Sequence, residues 1–253
     1  FGEPLPASRR WCDALVVRRF PVTNRDYLAF LDADPAHAAF VPRDRSDTLG
    51  AAGPPLMERG PDGRFALRPD EEGDLWLPDW PVLMVDLPAA AAFARWRAAV
   101  DGLPWRLPDE LEWEKAARGV DGRAFPWGDW LDPTWARHLR SVPGRKMPVA
   151  VTDYPIDRSV YGVRCVAGTV QEWTSSTFRT DGPISPDGKV VPELLGAEIP
   201  LDPDHLRTVR GGHWYGPPAL CRCASRLATE PANRAFHLGF RLVRSYSEPT
   251  TEP

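Results

Sequence analysis

Apolar and polar positions change period several times along the chain. Leu15 to Phe20 reads as a short β-like run. Thr23 or Asn24 can then cap a helix in which Tyr27, Phe30 and Leu31 recur at i, i+3 and i+4, a single apolar face that Pro35 ends. The stretch "PVLMVDLPAAAAFARWRAAVDG" predicts a short apolar strand followed by a helix capped by Asp86, with Phe93, Trp96 and Val100 on the buried side. "WRLPDELEWEKAARG" predicts another helix. Asp109 and Glu112 form a capping-box variant, Trp113 and Ala117 face the core, and Gly119 stops it. The acidic run Asp109, Glu110, Glu112 and Glu114 reads as capping, helix-dipole compensation and a solvated face rather than an acid–base pair.

Residues 41–80 are polar and rich in Pro, Gly and Asp, and read as a loop excursion or insertion, with "GRFAL" one strand of a small hairpin. Beyond Gly119, Pro and Gly alternate with short β-like pieces, and no fixed repeat is visible. The pattern is α+β, with two or three helices first and short strands in long loops afterwards. The 29 prolines rule out long helices and ladders, and the 11 tryptophans are expected to anchor loops to the core.

Composition narrows the classes of function. The 253 residues suit a single domain, 1–253, with tails at 1–14 and 246–253. A net charge of −4 lacks a basic footprint, and no apolar run has membrane-spanning length, so neither nucleic acid nor membrane is an expected partner. Four cysteines, Cys12, Cys165, Cys221 and Cys223, are too few for a disulfide scaffold and favour a cytoplasmic home with free thiols. The N-terminus has no secretory h-region and opens abruptly, as if an additional domain preceded it.

The motifs "RFPVTNRDYLAFL", "RLPDELEWEKAARG", "FPWGD", "YGVRCVAGTVQEWTSS", "RGGHW" and "HLGFRLVRS" stand in this order. Together they resemble the formylglycine-generating enzyme, or sulfatase-modifying factor, family from about Leu15 to Ser245. The resemblance implies a loop-rich variant of the C-type lectin fold, with a small twisted antiparallel sheet and two or three helices. Members of that family differ in function. Some are copper-dependent cysteine oxidases. Others are the sulfur-transfer half of ergothioneine-type synthases, whose iron is held by a separate helical domain. Others are fused to bacterial kinases or peptidase-like effectors, or are variable ligand-binding proteins of diversity-generating retroelements. Fold alone does not choose among these.

In the copper-dependent members, as the resemblance implies, one cysteine follows "GG" by four residues and a second lies five further on, the two thiolates holding Cu(I). Here Gly216 takes the first position. The second falls on Pro218 or Cys221, depending on the direction of counting. One thiol is therefore missing, and no copper is expected. Cys221 and Cys223 are the alternative catalytic or metal pair. On a strand they would share one face, and the favoured reading makes them small semi-buried hydrophobes.

The resemblance also implies one structural Ca²⁺, with Glu172 matching the family's "GNxxEW" carboxylate and Val166, Gly168 and Val170 offering carbonyls, although Thr169 replaces the Asn. Arg210 and Arg241 are expected to bind loop carbonyls or carboxylates. His37, His138, His205, His213 and His237 are scattered without helical metal spacing.

Between "RGG" and "GFR" lie His213, Trp214, Tyr215, Leu220, Arg222, Leu227, Thr229, Asn233, Arg234, Phe236 and His237. This aromatic, cationic and polar mixture suits recognition of a protein or peptide ligand. The expectation is a non-catalytic binding module, as a retroelement-diversified variable protein or a sensor domain of a multidomain protein. The alternatives are a copper- or iron-dependent oxidase or sulfur-chemistry enzyme, and a scaffold domain.

Overall fold

The structure, a computed structural model, describes residues 9–44, 53–182 and 205–246. Most of the expected tails, and residues 45–52 of the expected excursion, lie outside these residues. The strands are β1 (Leu15–Val17), β2 (Met57–Arg59), β3 (Phe65–Leu67), β4 (Gln171–Thr177), β5 (Arg207–Arg210), β6 (Arg226–Thr229), β7 (Leu238–Gly239) and β8 (Val243–Ser245). The α-helices are α1 (Asn24–Ala33), α2 (Leu87–Asp101) and α3 (Glu110–Arg118). A four-stranded sheet runs β6-β5-β4-β7, with β4 antiparallel to β5 and parallel to β7. β1 pairs with β8, which brings the two ends of the described chain together, and β2 pairs with β3 as the hairpin expected around "GRFAL".

Local chemistry sets the helix ends. Of the two candidate caps for α1, Thr23 is the one used. Its Oγ1 accepts from the Asp26 amide at 3.2 Å, and the Asp26 carboxylate accepts from the Thr23 amide at 3.2 Å. Asp86 caps α2 by accepting from the Ala89 amide at 2.9 Å, and Gly102, at φ +65°, ends it in the left-handed conformation that glycine adopts most cheaply. Asp109 and Glu112 complete the box on α3. One expectation for α2 changes: Phe93 is buried and Trp96 half-buried, but Val100 is 59% exposed, because the last turn runs beyond the core.

The core lies between α1, α2 and the sheet. Tyr27 stacks on Phe93 at 5.8 Å, Phe93 meets Phe240 edge-on at 5.3 Å, and the Trp173 indole donates to the Val85 carbonyl at 2.8 Å. On the far side of β4, Glu172 and Arg241 form a fully buried pair. Arg241 Nε donates to Oε2 and Nη2 to Oε1, both at 2.6 Å, while Trp113 Nε1 donates to Oε2 at 2.8 Å. The remaining guanidinium hydrogens reach the carbonyls of Arg164 (2.8 Å) and Arg18 (3.3 Å). The pair thus ties β4, the loop before β4 and the residues after β1 together, and α3 joins through the Trp113 indole.

The solvated acidic face expected on α3 is corrected. Glu110 is buried against Arg226, at 2.5 and 2.9 Å, with Arg210 at 4.0 Å. Glu112 takes both forks of Arg106 at 2.6 Å, and Glu114 bonds Arg118 and Arg210. Each glutamate meets an arginine, and three of those four arginines come from outside the helix.

Glu172→Gln is expected to destabilise the chain by about 3–5 kcal/mol, since it strands a buried guanidinium. Urea denaturation measures this as a lower midpoint. A Glu172→Leu/Arg241→Leu double variant is expected to lose less than the sum of its singles.

Candidate functional site

The site starts from a buried carboxylate that the sequence reading passed over. Asp157 accepts from the amides of Val166, Ala167 and Gly168, each at 3.0 Å, and so curls the loop before β4 around itself. The curl presses Gly168 against Arg137. A Cβ at Gly168 would lie 2.3 Å from the Arg137 carbonyl oxygen, so only glycine fits. Thr169 follows at φ +69°, an uncommon conformation for a β-branched residue. Its amide donates to Arg137 at 2.8 Å, and its carbonyl accepts from the Trp214 amide at 3.3 Å. The Gly212 amide donates to Ala167 at 3.1 Å, and a Cβ at Gly212 would meet that same carbonyl oxygen at 2.3 Å. The "RGGHW" turn therefore lies directly on the 167–170 loop.

That contact assembles an aromatic group. The rings of His213 and His237 stack at 4.1 Å and 20°. Phe236 meets both imidazoles edge-on, and also meets Trp214 at 5.5 Å and Tyr215 at 5.8 Å. Trp214 Nε1 donates to the Phe236 carbonyl at 3.2 Å, and the His237 carbonyl accepts from the Gln171 amide at 3.0 Å. Tyr215, 49% exposed, is the ring most open to solvent.

Five of the eleven expected ligand-facing residues thus converge. The other six are placed elsewhere. Leu220 is buried and Leu227 packs on the main core. Asn233 donates to the Thr229 hydroxyl at 2.6 Å. Arg234 pairs with Asp86, the cap of α2, at 2.6 Å. Arg222 is exposed, with its guanidinium 5.8 Å from the centre of the Phe125 ring.

Burial holds both stacked imidazoles neutral. It lowers His213 from the ordinary 6.5 to about 3, helped by the neighbouring His237, and lowers His237 to about 4. The Nδ1 atoms of both rings are buried without a hydrogen-bond partner, as are Thr169 Oγ1 and His138 Nε2. The stack brings together residues 24 apart with no helical spacing, so no local pattern announces it.

The two cysteines do not share a face. Cys221 closes a 3₁₀ turn, Pro218–Cys221, and packs with Phe125, Ala136 and Ala167. Cys223 packs with Trp113, Ala116, Val163 and Val166. This corrects the strand-based expectation: a tight turn separates them, not an extended segment. Burial raises both thiols, Cys223 to about 12 and Cys221 further. At Gly216, which the resemblance matches to the copper oxidases' first cysteine, a Cβ would lie 2.8 Å from His213 Nε2. The imidazole stands where that side chain would begin, and these residues do not fit a two-thiolate clamp.

The four residues expected around calcium are also placed. Glu172 faces Arg241 and Trp113, and the amides of Val166 and Gly168 bind Asp157. Val170 packs with Met84 and Trp214. Among the described residues, no group of three or more His, Cys, Asp or Glu side chains is placed to hold a metal ion.

Residues 2–246 match the model of the sulfatase-modifying factor enzyme 1-like domain. The chain belongs to that family. Within it, the domain is 28% identical to the formylglycine-generating enzyme of Bos taurus, covering 97% of this chain and 69% of that protein. It is 31% identical to the hercynine oxygenase of Mycolicibacterium smegmatis, covering 90% of this chain and 52% of that one. It spans about half the length of that oxygenase and of YfmG, an uncharacterized protein of Bacillus subtilis (49%). Two solved structures share the fold. PvdO from Pseudomonas aeruginosa has a TM-score of 0.68 at 20% identity, covering 92% of this chain and 80% of that one. Treponema denticola variable protein 1 has a TM-score of 0.59 at 18% identity, covering 92% and 84%. The family's loop-rich α+β fold is therefore the fold of this domain.

The imidazole stack makes stability depend on pH. As pH falls below 6.5, the unfolded chain takes up protons that folded His213 and His237 refuse. Their contribution is full above about pH 6.5 and is lost as pH falls toward about 4. His237→Phe keeps the stack apolar and is expected to flatten the fall in melting temperature between neutral and mildly acidic buffer. Parallel thermal melts of the two proteins check this.

Proposed function

We propose that this domain is a recognition module that binds a protein or peptide through the aromatic group His213–Trp214–Tyr215–Phe236–His237, and that it does not run the family's cysteine oxidation. One observation carries the reading: at the place of the first oxidase cysteine stand Gly216 and the His213 ring, while the two nearby thiols are buried in separate clusters and held protonated. A protonated, enclosed thiol is neither a nucleophile nor a ready ligand for a soft metal. The aromatic group suits binding instead. Its rings are large, rigid and already packed, so little side-chain entropy is lost when a partner settles on Tyr215 and Phe236.

A second reading rests on the relatives. Several are named as enzymes, formylglycine-generating enzyme and hercynine oxygenase among them, at 28–31% identity. Under that reading Cys221 or Cys223 opens to the surface and takes part in copper or sulfur chemistry.

Two measurements separate the readings. Panning a random peptide library on the purified domain is expected to yield clones whose affinity falls about tenfold or more on Tyr215→Ala, with the fold checked by a thermal melt because the ring packs on Trp214 and Phe236. Titration of Cu(I) against a chromophoric chelator is expected to show no stoichiometric uptake. Uptake abolished by Cys221→Ser, or oxidation of a cysteinyl peptide, overturns the binding-module reading.

A further inference from the structure

A different surface gathers arginines that the protein does not neutralise. Arg19 and Arg164 both place their guanidinium carbons near one ring, Phe20, at 5.7 and 5.6 Å from its centroid. Arg18 and Arg244, neighbours where β1 meets β8, do the same at Trp105, each at 5.8 Å. Elsewhere, every buried arginine of α3's network has a carboxylate. Here, none of the four has an ion-pair partner among the described residues. Arg164, only 8% exposed, donates from Nη2 to the Thr152 carbonyl at 3.0 Å, and Arg244 from Nη1 to the Ser245 carbonyl at 3.3 Å, yet the Nε of each is buried without a partner. Leaving buried guanidinium hydrogens unpaired is costly, and this happens in a chain whose net charge is −4.

A cavity of about 270 Å³ opens at the same corner, lined by Arg18, Arg19, Phe20, Pro21 and Val22. Thr23 and Asp26 also border it; Asp26 Oδ2 caps α1 by accepting from the amide and the hydroxyl of Thr23, at 3.2 and 2.8 Å, and its one negative charge stands against the two arginines of the lining. The cavity holds much more than a bare phosphate, since one water occupies about 30 Å³ of liquid.

We propose that this corner binds a small phosphorylated organic molecule. Arg18 and Arg19 hold the phosphate, and the organic part lies against Phe20 and Pro21. Planar guanidinium forks match phosphate oxygens, and both lining arginines lack an ion-pair partner among the described residues. Both groups then remain as they are, with no covalent step. The site lies apart in sequence from the aromatic group and does not depend on its function.

The test uses the whole domain and isothermal titration with phenyl phosphate and with phenylacetate. A parallel arm pellets the domain with vesicles containing phosphatidic acid, which separates a lipid headgroup from a free ligand as the source of the phosphate. Saturable phenyl phosphate or vesicle binding is expected, preferred over phenylacetate and weakened by salt. Arg19→Gln is expected to weaken it about tenfold, and Arg18→Gln similarly. Arg19 is exposed and makes no side-chain hydrogen bond, so its substitution leaves the fold intact. Arg123→Gln, at a separate cavity, is the control and is expected to change nothing. The proposal is overturned if neither probe binds saturably, if Arg19→Gln has no effect, or if Arg123→Gln weakens binding as much.

Discussion

The fold depends on the buried pair Glu172–Arg241. A loop-rich chain with short strands has few ladder hydrogen bonds to hold its parts in place, so side chains must do it. Arg241 spends its five donors on a carboxylate and on carbonyls from two other segments, and Glu172 also receives the Trp113 indole. The desolvation cost of such a pair is large, and mutual hydrogen bonding offsets it only when every donor is used. The return is specificity of arrangement: β4, α3, the loop before β4 and the start of the chain have one relative placement.

The aromatic group inherits that placement. β4 fixes the loop that Asp157 curls, and two glycines let the "RGGHW" turn lie against it with no Cβ between the backbones. Position 216 has no side chain, so the His213 imidazole fills the space and stacks on His237. The position that the resemblance matches to the oxidases' first cysteine therefore adjoins an aromatic group here. Both imidazoles are buried and neutral, and their Nδ1 atoms have no hydrogen-bond partner, so each leaves a polar atom unsatisfied in the packed group.

The acidic run on α3 shows how a sequence pattern can mislead. Four acids in six positions at a helix start look like a solvated, dipole-compensating face. Capping by Asp109 and Glu112 is indeed as read. Glu110, however, meets Arg226 across 116 residues and Arg210 beside it, and is buried. Each arginine supplies the counter-charge that makes burial tolerable, and nothing near Glu110 in the chain signals this.

What the sequence determined by itself was local: the caps Asp86 and Asp109, the apolar face of Tyr27, Phe30 and Leu31, the hairpin around "GRFAL", and the motif order that names the family. The caps, the apolar face and the hairpin rest on interactions within a few residues, and the motif order is read directly off the chain. Tertiary structure alone decided which acids are buried, that Val100 leaves the core, that Cys221 and Cys223 part into separate clusters, and that His213 finds His237. Those outcomes depend on which distant segments meet. Long-range pairing is fixed by packing the whole chain at once, and no short window of residue types carries that information.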